Sequence, residues 1–162
     1  MAIVLLGNAP PLSVVDAQAR AAGNRHATAV TIGTHLFAHP WPVQILKVYV
    51  DGAGGHEIAG LALSGVKFKR PLTRAAFVDD VTEVIATAFG AARLEEVDLW
   101  CEVPLDVGKG VVVSGDYAKP AQRTVFTVTV LRGETPPSYR TRIVAGRGVY
   151  WDRTWQAQAL HR

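Results

Sequence analysis

The sequence predicts an α+β fold, with a mainly antiparallel sheet of five or six strands covered by one long amphipathic helix and one shorter helix. Two segments have apolar residues at every second position over most of their length, a third has an apolar period of 3.6 residues, and turn residues join two strand-like segments into a hairpin. With 162 residues, of which 49% are hydrophobic, the chain can bury a core of its own. Consecutive hairpins favour antiparallel pairing, and the amphipathic helix needs a sheet face to cover.

The first third of the chain begins with a short apolar strand, Ala2–Leu6. A short helix over residues 13–22 follows, because Ser13 is a good N-cap and Gly23-Asn24 is a typical helix stop. The next segment, Ala27–Leu36, has strand character because it is rich in β-branched residues.

A hairpin is predicted next, with strands Val43–Val50 and Ile58–Phe68 joined by a six-residue loop, Asp51–His56. The preceding His39-Pro40-Trp41-Pro42 fixes two φ angles and removes two backbone donors, so any strand must stop there.

The strongest helix signal covers Thr73–Phe89, with Thr73 as N-cap and Gly90 as the stop. The period assigns Asp79, Asp80, Thr82, Glu83 and Thr87 to its solvent face. Two alternating strands follow, Val97–Leu105 and Arg123–Leu131, with a short Val111–Val113 piece between them.

The C-terminal segment differs from the rest in charge. Residues 1–118 carry 9 basic and 12 acidic residues, whereas residues 119–162 carry 8 basic and 2 acidic residues. We therefore divide the chain into an α+β domain, 1–132, and an extension, 133–162, that packs on the domain, on a sister subunit or on a partner. The predicted partner-binding residues are Tyr139, Arg140, Arg142, Arg147, Trp151, Arg153 and Trp155. A helix over Val149–Leu160 would place the two tryptophans on one face.

Candidate catalytic residues come from two loops. His35 and His39 would lie at the end of a strand beside a proline-rich loop, where either could act as a general base, and Ser114 and Asp116 would line the same cleft from the 108–117 loop. In a strand, residues four apart are about 13 Å from each other, which is too far for one metal ion. The histidines are therefore not predicted as metal ligands.

Other candidate sites fail on their surroundings. Cys101 lies on the apolar side of its strand and is predicted to be a small buried residue. Asp98, Glu102 and Asp106 form a solvated strand face or, alternatively, a paired-carboxylate site. The glycine-rich stretches lack the spacing of nucleotide-binding loops, so no cofactor is expected. A single cysteine and the absence of a long apolar run predict a cytoplasmic protein without a membrane segment.

These observations predict a non-catalytic binding or assembly protein that forms a homo-oligomer, or contacts a protein partner, through its basic and aromatic C-terminal segment. One alternative is a small enzyme with a histidine general base in the cleft described above. A second alternative is a nucleic-acid-binding protein that uses Arg140, Arg142, Arg147 and Arg153.

Overall fold

The computed structural model describes residues 12–105 and 122–161, which form a mixed α+β fold. In chain order the elements are α1 (Leu12–Phe37), β1 (Val43–Ala53), β2 (His56–Phe68), β3 (Leu72–Thr73), α2 (Arg74–Ala91), β4 (Glu96–Pro104), β5 (Gln122–Leu131), α3 (Pro136–Val144), β6 (Val149–Trp151), α4 (Arg153–Ala159) and β7 (Leu160–His161). The main sheet has five strands in the order β1-β2-β4-β5-β6, and β3 and β7 form a second, two-stranded sheet. Among the described residues, β2 and β4 are the only parallel pair of the main sheet, so the predicted class and the mainly antiparallel pairing are confirmed.

Helix α1 is much longer than predicted, and the predicted strand Ala27–Leu36 is wrong because this segment is helical. Ile32 and Leu36 lie one turn apart and are both fully buried, since α1 packs against β1 and α2. A mid-helix glycine costs about 1 kcal/mol relative to alanine, so Gly23 weakens the helix without ending it.

The predicted hairpin is confirmed, because β1 and β2 pair antiparallel from Asp51 opposite Ile58 to Ala53 opposite His56. Its loop is shorter than predicted and consists of Gly54 and Gly55 alone. Both have positive φ angles, 66° and 87°. Two central residues with positive φ make the tight turn whose twist matches that of the flanking strands.

The predicted long helix is confirmed as α2, although it continues through Gly90, the predicted stop, to Ala91. Its N-cap is Thr73, whose side chain accepts a hydrogen bond from the backbone N–H of Ala76 at 3.1 Å. The helix crosses from β2 to β4, and this crossover explains why these two strands are parallel. The solvent face predicted for α2 is partly wrong, because Thr82 is buried and Asp80 is half-buried. Helices α1 and α3 both pack against α2, which widens its buried surface beyond one face.

The two alternating strands are confirmed as β4 and β5. Val97, Leu99, Cys101 and Val103 are all buried along β4. In β5 a register irregularity places both Val125 and Phe126 in the core, although they are consecutive. The Ala2–Leu6 and Val111–Val113 segments lie outside the described residues.

The predicted helix over Val149–Leu160 is wrong at both ends. Val149–Trp151 is strand β6, which pairs antiparallel with β5, and Leu160 starts the short strand β7. Helix α4 starts after Asp152, whose carboxylate accepts a hydrogen bond from the backbone N–H of Trp155 at 2.8 Å. Helix α3 was not predicted from the sequence; it begins at Pro136, three residues after the glycine turn at Gly133.

Candidate functional site

The aromatic side chains of the C-terminal segment mostly belong to the core. Tyr139 is 1% exposed, and its hydroxyl donates a hydrogen bond to the backbone oxygen of Thr82 at 3.1 Å. Burial raises the pKa of Tyr139 to about 12. Trp155 is 4% exposed and donates from its indole N–H to the backbone oxygen of Gly65 at 2.8 Å. Trp151 is half-buried.

These tryptophans pack around one phenylalanine of α2. The ring of Phe77 lies edge-on to Phe126, Trp151 and Trp155, at centroid distances of 5.3, 5.8 and 5.4 Å. Each such aromatic pair adds about 0.5–1.5 kcal/mol beyond the burial of its area. The C-terminal segment therefore helps to hold α2 on the sheet.

The basic residues of the segment are divided between internal contacts and the open surface. The four predicted arginines are Arg140, Arg142, Arg147 and Arg153. Arg140 pairs with Asp79 at 2.7 Å, and Arg142 pairs with Glu134 at 3.2 Å. Within residues 12–105 and 122–161, the other two arginines form no ion pair and are exposed.

The two predicted catalytic histidines occupy different environments. His35 lies in the last turn of α1, is exposed, and has Nδ1 2.9 Å from the backbone oxygen of Thr31. His39 follows the helix, with its ring centroid 5.4 Å from that of Trp41, and it lines a cleft that His35 does not reach. Ser114 and Asp116 lie outside the described residues, so the structure does not place them.

The cleft that contains His39 lies between α2 and the proline-rich segment after α1. Its volume is about 510 Å³. Its aromatic and polar side chains are His39, Trp41, Arg70, Asp80, Glu83 and Thr87. Trp41 is held in place because its indole N–H donates to the backbone oxygen of Leu36 at 2.6 Å.

Asp80 is the unusual group of this cleft. Burial raises its pKa from 3.8 to about 6; Arg70 acts in the opposite direction, and Glu83 and Asp79 add to the rise. The Oδ2 atom of Asp80 is buried and has no hydrogen-bond donor among the described residues. Asp80 was not among the candidate site residues predicted from the sequence, because the helical period places it on the solvent face of α2.

The other predicted sites are accounted for by local structure. Cys101 is fully buried, as predicted, and burial raises the pKa of its thiol to about 12. The carboxylate of Glu102 accepts from the indole N–H of Trp100 at 2.6 Å. That of Asp98 accepts from the Thr129 hydroxyl at 2.5 Å. Asp106 lies outside the described residues.

A second surface lies along α1. Val30 and Phe37 are 52% and 65% exposed, and Leu46 on the neighbouring strand β1 is 43% exposed. Val30, Phe37 and Val48 line a shallow groove of about 670 Å³ between the helix and the strand. Side chains of this size exposed together form an apolar patch of the kind found at interaction surfaces.

Among the described residues, no three histidine, cysteine, aspartate or glutamate side chains converge as metal ligands would. No helix in residues 12–105 and 122–161 is long and apolar enough to cross a membrane. Comparison with known proteins gives no match to a family model, to a curated protein or to a solved structure.

Proposed function

We propose that this protein is a non-catalytic assembly protein that pairs with a second copy of itself, and that helix α1 makes the contact. The observation that carries this proposal is the exposure of α1. From Asp16 to Asn24, every residue except Ala21 is exposed. A helical stretch without packing is marginal in water, and Gly23 and Asn24 weaken this one further. A partner that covers the stretch would supply the missing burial.

The two halves of α1 differ in a way that suits self-association. The second half carries the large exposed side chains Val30 and Phe37. The first half is rich in small residues, including Ala17, Ala19 and Ala22. Small residues allow a facing helix to approach closely, so the first half of one α1 fits the second half of another.

An antiparallel pair of α1 helices gives this match a definite register. Alternating spacings of three and four residues place Asp16, Ala19, Gly23, His26, Val30, Gly33 and Phe37 on one side of the helix, and all of them except Gly33 are exposed. When two copies overlap along their full length of about 39 Å, Ala19 lies opposite Val30 and Gly23 lies opposite His26. The contact is isologous, as a two-fold dimer requires.

This proposal moves the contact from the C-terminal segment to α1. Tyr139 and Trp155 are buried in their own subunit and can meet a partner only if the core opens. Arg147 and Arg153 remain on the surface and stay available to an additional partner. The histidine enzyme and the nucleic-acid-binding protein remain predictions from the sequence.

The test is the solution mass of the full chain, measured by size-exclusion chromatography with light scattering at several concentrations. We expect the wild type to have twice the monomer mass, and Val30→Glu to be monomeric because a charge would enter the apolar contact. Val66→Glu is the matched control, since Val66 is 56% exposed on β2 and should leave the dimer intact. A monomeric wild type, or a Val30→Glu variant that remains dimeric, refutes the proposal.

A further inference from the structure

The cleft between α2 and the segment after α1 has the composition of a site for a small organic cation. Two carboxylates, Asp80 and Glu83, line it together with one guanidinium, Arg70. Within residues 12–105 and 122–161, Arg70 forms no ion pair with either of them. The cleft therefore carries two carboxylates against one guanidinium, and Arg70 acts on Asp80 from a distance that only partly compensates the negative charge.

We propose that this cleft binds an aliphatic molecule that carries primary ammonium groups. The buried Oδ2 atom of Asp80, which has no hydrogen-bond donor among the described residues, is the first observation. Burying a carboxylate oxygen without a hydrogen-bond donor lowers the stability of the folded protein unless another group compensates for it. Oδ2 itself is out of reach of a molecule in the cleft, but an ammonium ion bound to the accessible side of the same carboxylate offsets the negative charge that is costly to bury.

The second observation is the aromatic wall of the cleft. Trp41 is fixed by its hydrogen bond to the Leu36 carbonyl, and the His39 ring lies beside it, tilted by 56°. The face of an indole ring attracts a cation, with a gain of about 0.5–2 kcal/mol that rises as water is excluded. A carboxylate and a fixed aromatic ring in one cleft together select a positively charged organic group.

The spacing of the two carboxylates favours a bound molecule of a particular length. Asp80 and Glu83 are three residues apart on α2, and such pairs have Cβ atoms about 5–6 Å apart on one side of a helix. The two nitrogens of a short diamine span a similar distance. The cleft volume of about 510 Å³ is within the usual range for small-molecule sites. We therefore expect a short diamine to bind more tightly than a monoamine of the same length.

The experiment is a titration of the full-length wild-type protein with 1,4-diaminobutane, followed by the NMR signal of the Trp41 indole N–H. The signal is assigned with Trp41→Phe. We expect a saturable shift with the diamine and none with 1,4-butanediol, which has the same length without charge. Asp80→Asn should lower the affinity for the diamine about tenfold, because a hydrogen bond to a charged group is lost.

The matched control is Asp79→Asn, which removes the same charge from the neighbouring residue of α2. The Asp79 side chain is 50% exposed and pairs with Arg140, and an exposed ion pair of this kind contributes little to stability. Its variant should bind the diamine as the wild type does. Equal weakening by both variants, an equal response to the diol, or displacement of the diamine by equimolar Ca²⁺ would overturn the proposal.

Discussion

Replacing Asp80 by asparagine should make the protein more stable near neutral pH. The carboxyl of Asp80 has its pKa raised from 3.8 to about 6, mainly by burial, and Glu83 and Asp79 act in the same direction. Arg70 opposes the rise, and His39 lines the same cleft. Folding therefore favours the protonated side chain, which asparagine imitates in shape and charge.

The sign of the pH dependence follows from the two pKa values. Below about pH 4 the carboxyl is protonated in the folded and the unfolded chain, so no stability is lost by burying a charged group. Between about pH 4 and pH 6 only the folded chain keeps the proton, and stability falls as the pH rises. Above about pH 6 both states are ionised and the full penalty is present.

The size of the effect is moderate. A rise from 3.8 to about 6 corresponds to roughly 3 kcal/mol of preference for the protonated form. Water reaches part of this side chain and screens its charge, so we expect about 1–2 kcal/mol. Asp80→Asn should match the wild type near pH 4 and exceed its free energy of unfolding by this amount at about pH 7.5.

Urea unfolding followed by circular dichroism at a series of pH values measures this difference. Asp79→Asn serves as the control, because its half-exposed carboxylate is paired with Arg140 and is the smallest of the causes that raise the pKa of Asp80. Any gain in stability that grows with pH should therefore be much smaller for Asp79→Asn than for Asp80→Asn. If Asp80→Asn is less stable than the wild type at about pH 7.5, or if its advantage is the same at every pH, the carboxyl of Asp80 is not destabilised by burial.

Further predictions concern single residues of the fold, each measured by thermal or urea unfolding. Gly90→Ala should stabilise α2 by roughly 0.5–1 kcal/mol, because a Cβ there has nothing within 4 Å; an unchanged or lower stability contradicts this. Gly65→Ala should cost about 1–3 kcal/mol, because its Cβ would lie 2.6 Å from Val103 in the core, and a neutral result would show that the sheet gives way easily. Thr73→Ala should cost about 1 kcal/mol by removing the cap of α2, whereas Thr73→Ser should lose much less; equal losses argue against the cap.

The elements that sequence predicted well are those whose burial follows one simple period. Strand β4 has one buried and one outward face, so alternation marks it correctly. Helix α1 was misassigned in its second half, because β-branched residues such as Val30 and Thr31 favour strands by propensity. Burial of Ile32 and Leu36 against β1 and α2 outweighs that preference, and no local pattern reveals such packing.

The cleft was predicted only in part. His39 could be proposed from its place beside a proline-rich loop, and it does line the cleft. Asp80 and Arg70 come from other elements of the chain, and the sequence offers no sign that they approach it. The helical period wrongly predicts that Asp80 is exposed, because such a period assumes that α2 is covered on one face. Two other helices, α1 and α3, also pack against α2.

The small sheet of β3 and β7 has a consequence for synthesis of the protein. It pairs Leu72 with Leu160, so two buried residues that are far apart in the chain must meet. While a ribosome makes the polypeptide, the ring of Phe77 lacks the tryptophans that cover it until residues 151 and 155 have emerged. Contacts between distant residues form slowly, so the nascent chain exposes the apolar side of α2 for much of its translation. A chaperone that shields exposed apolar surface would therefore act on this intermediate.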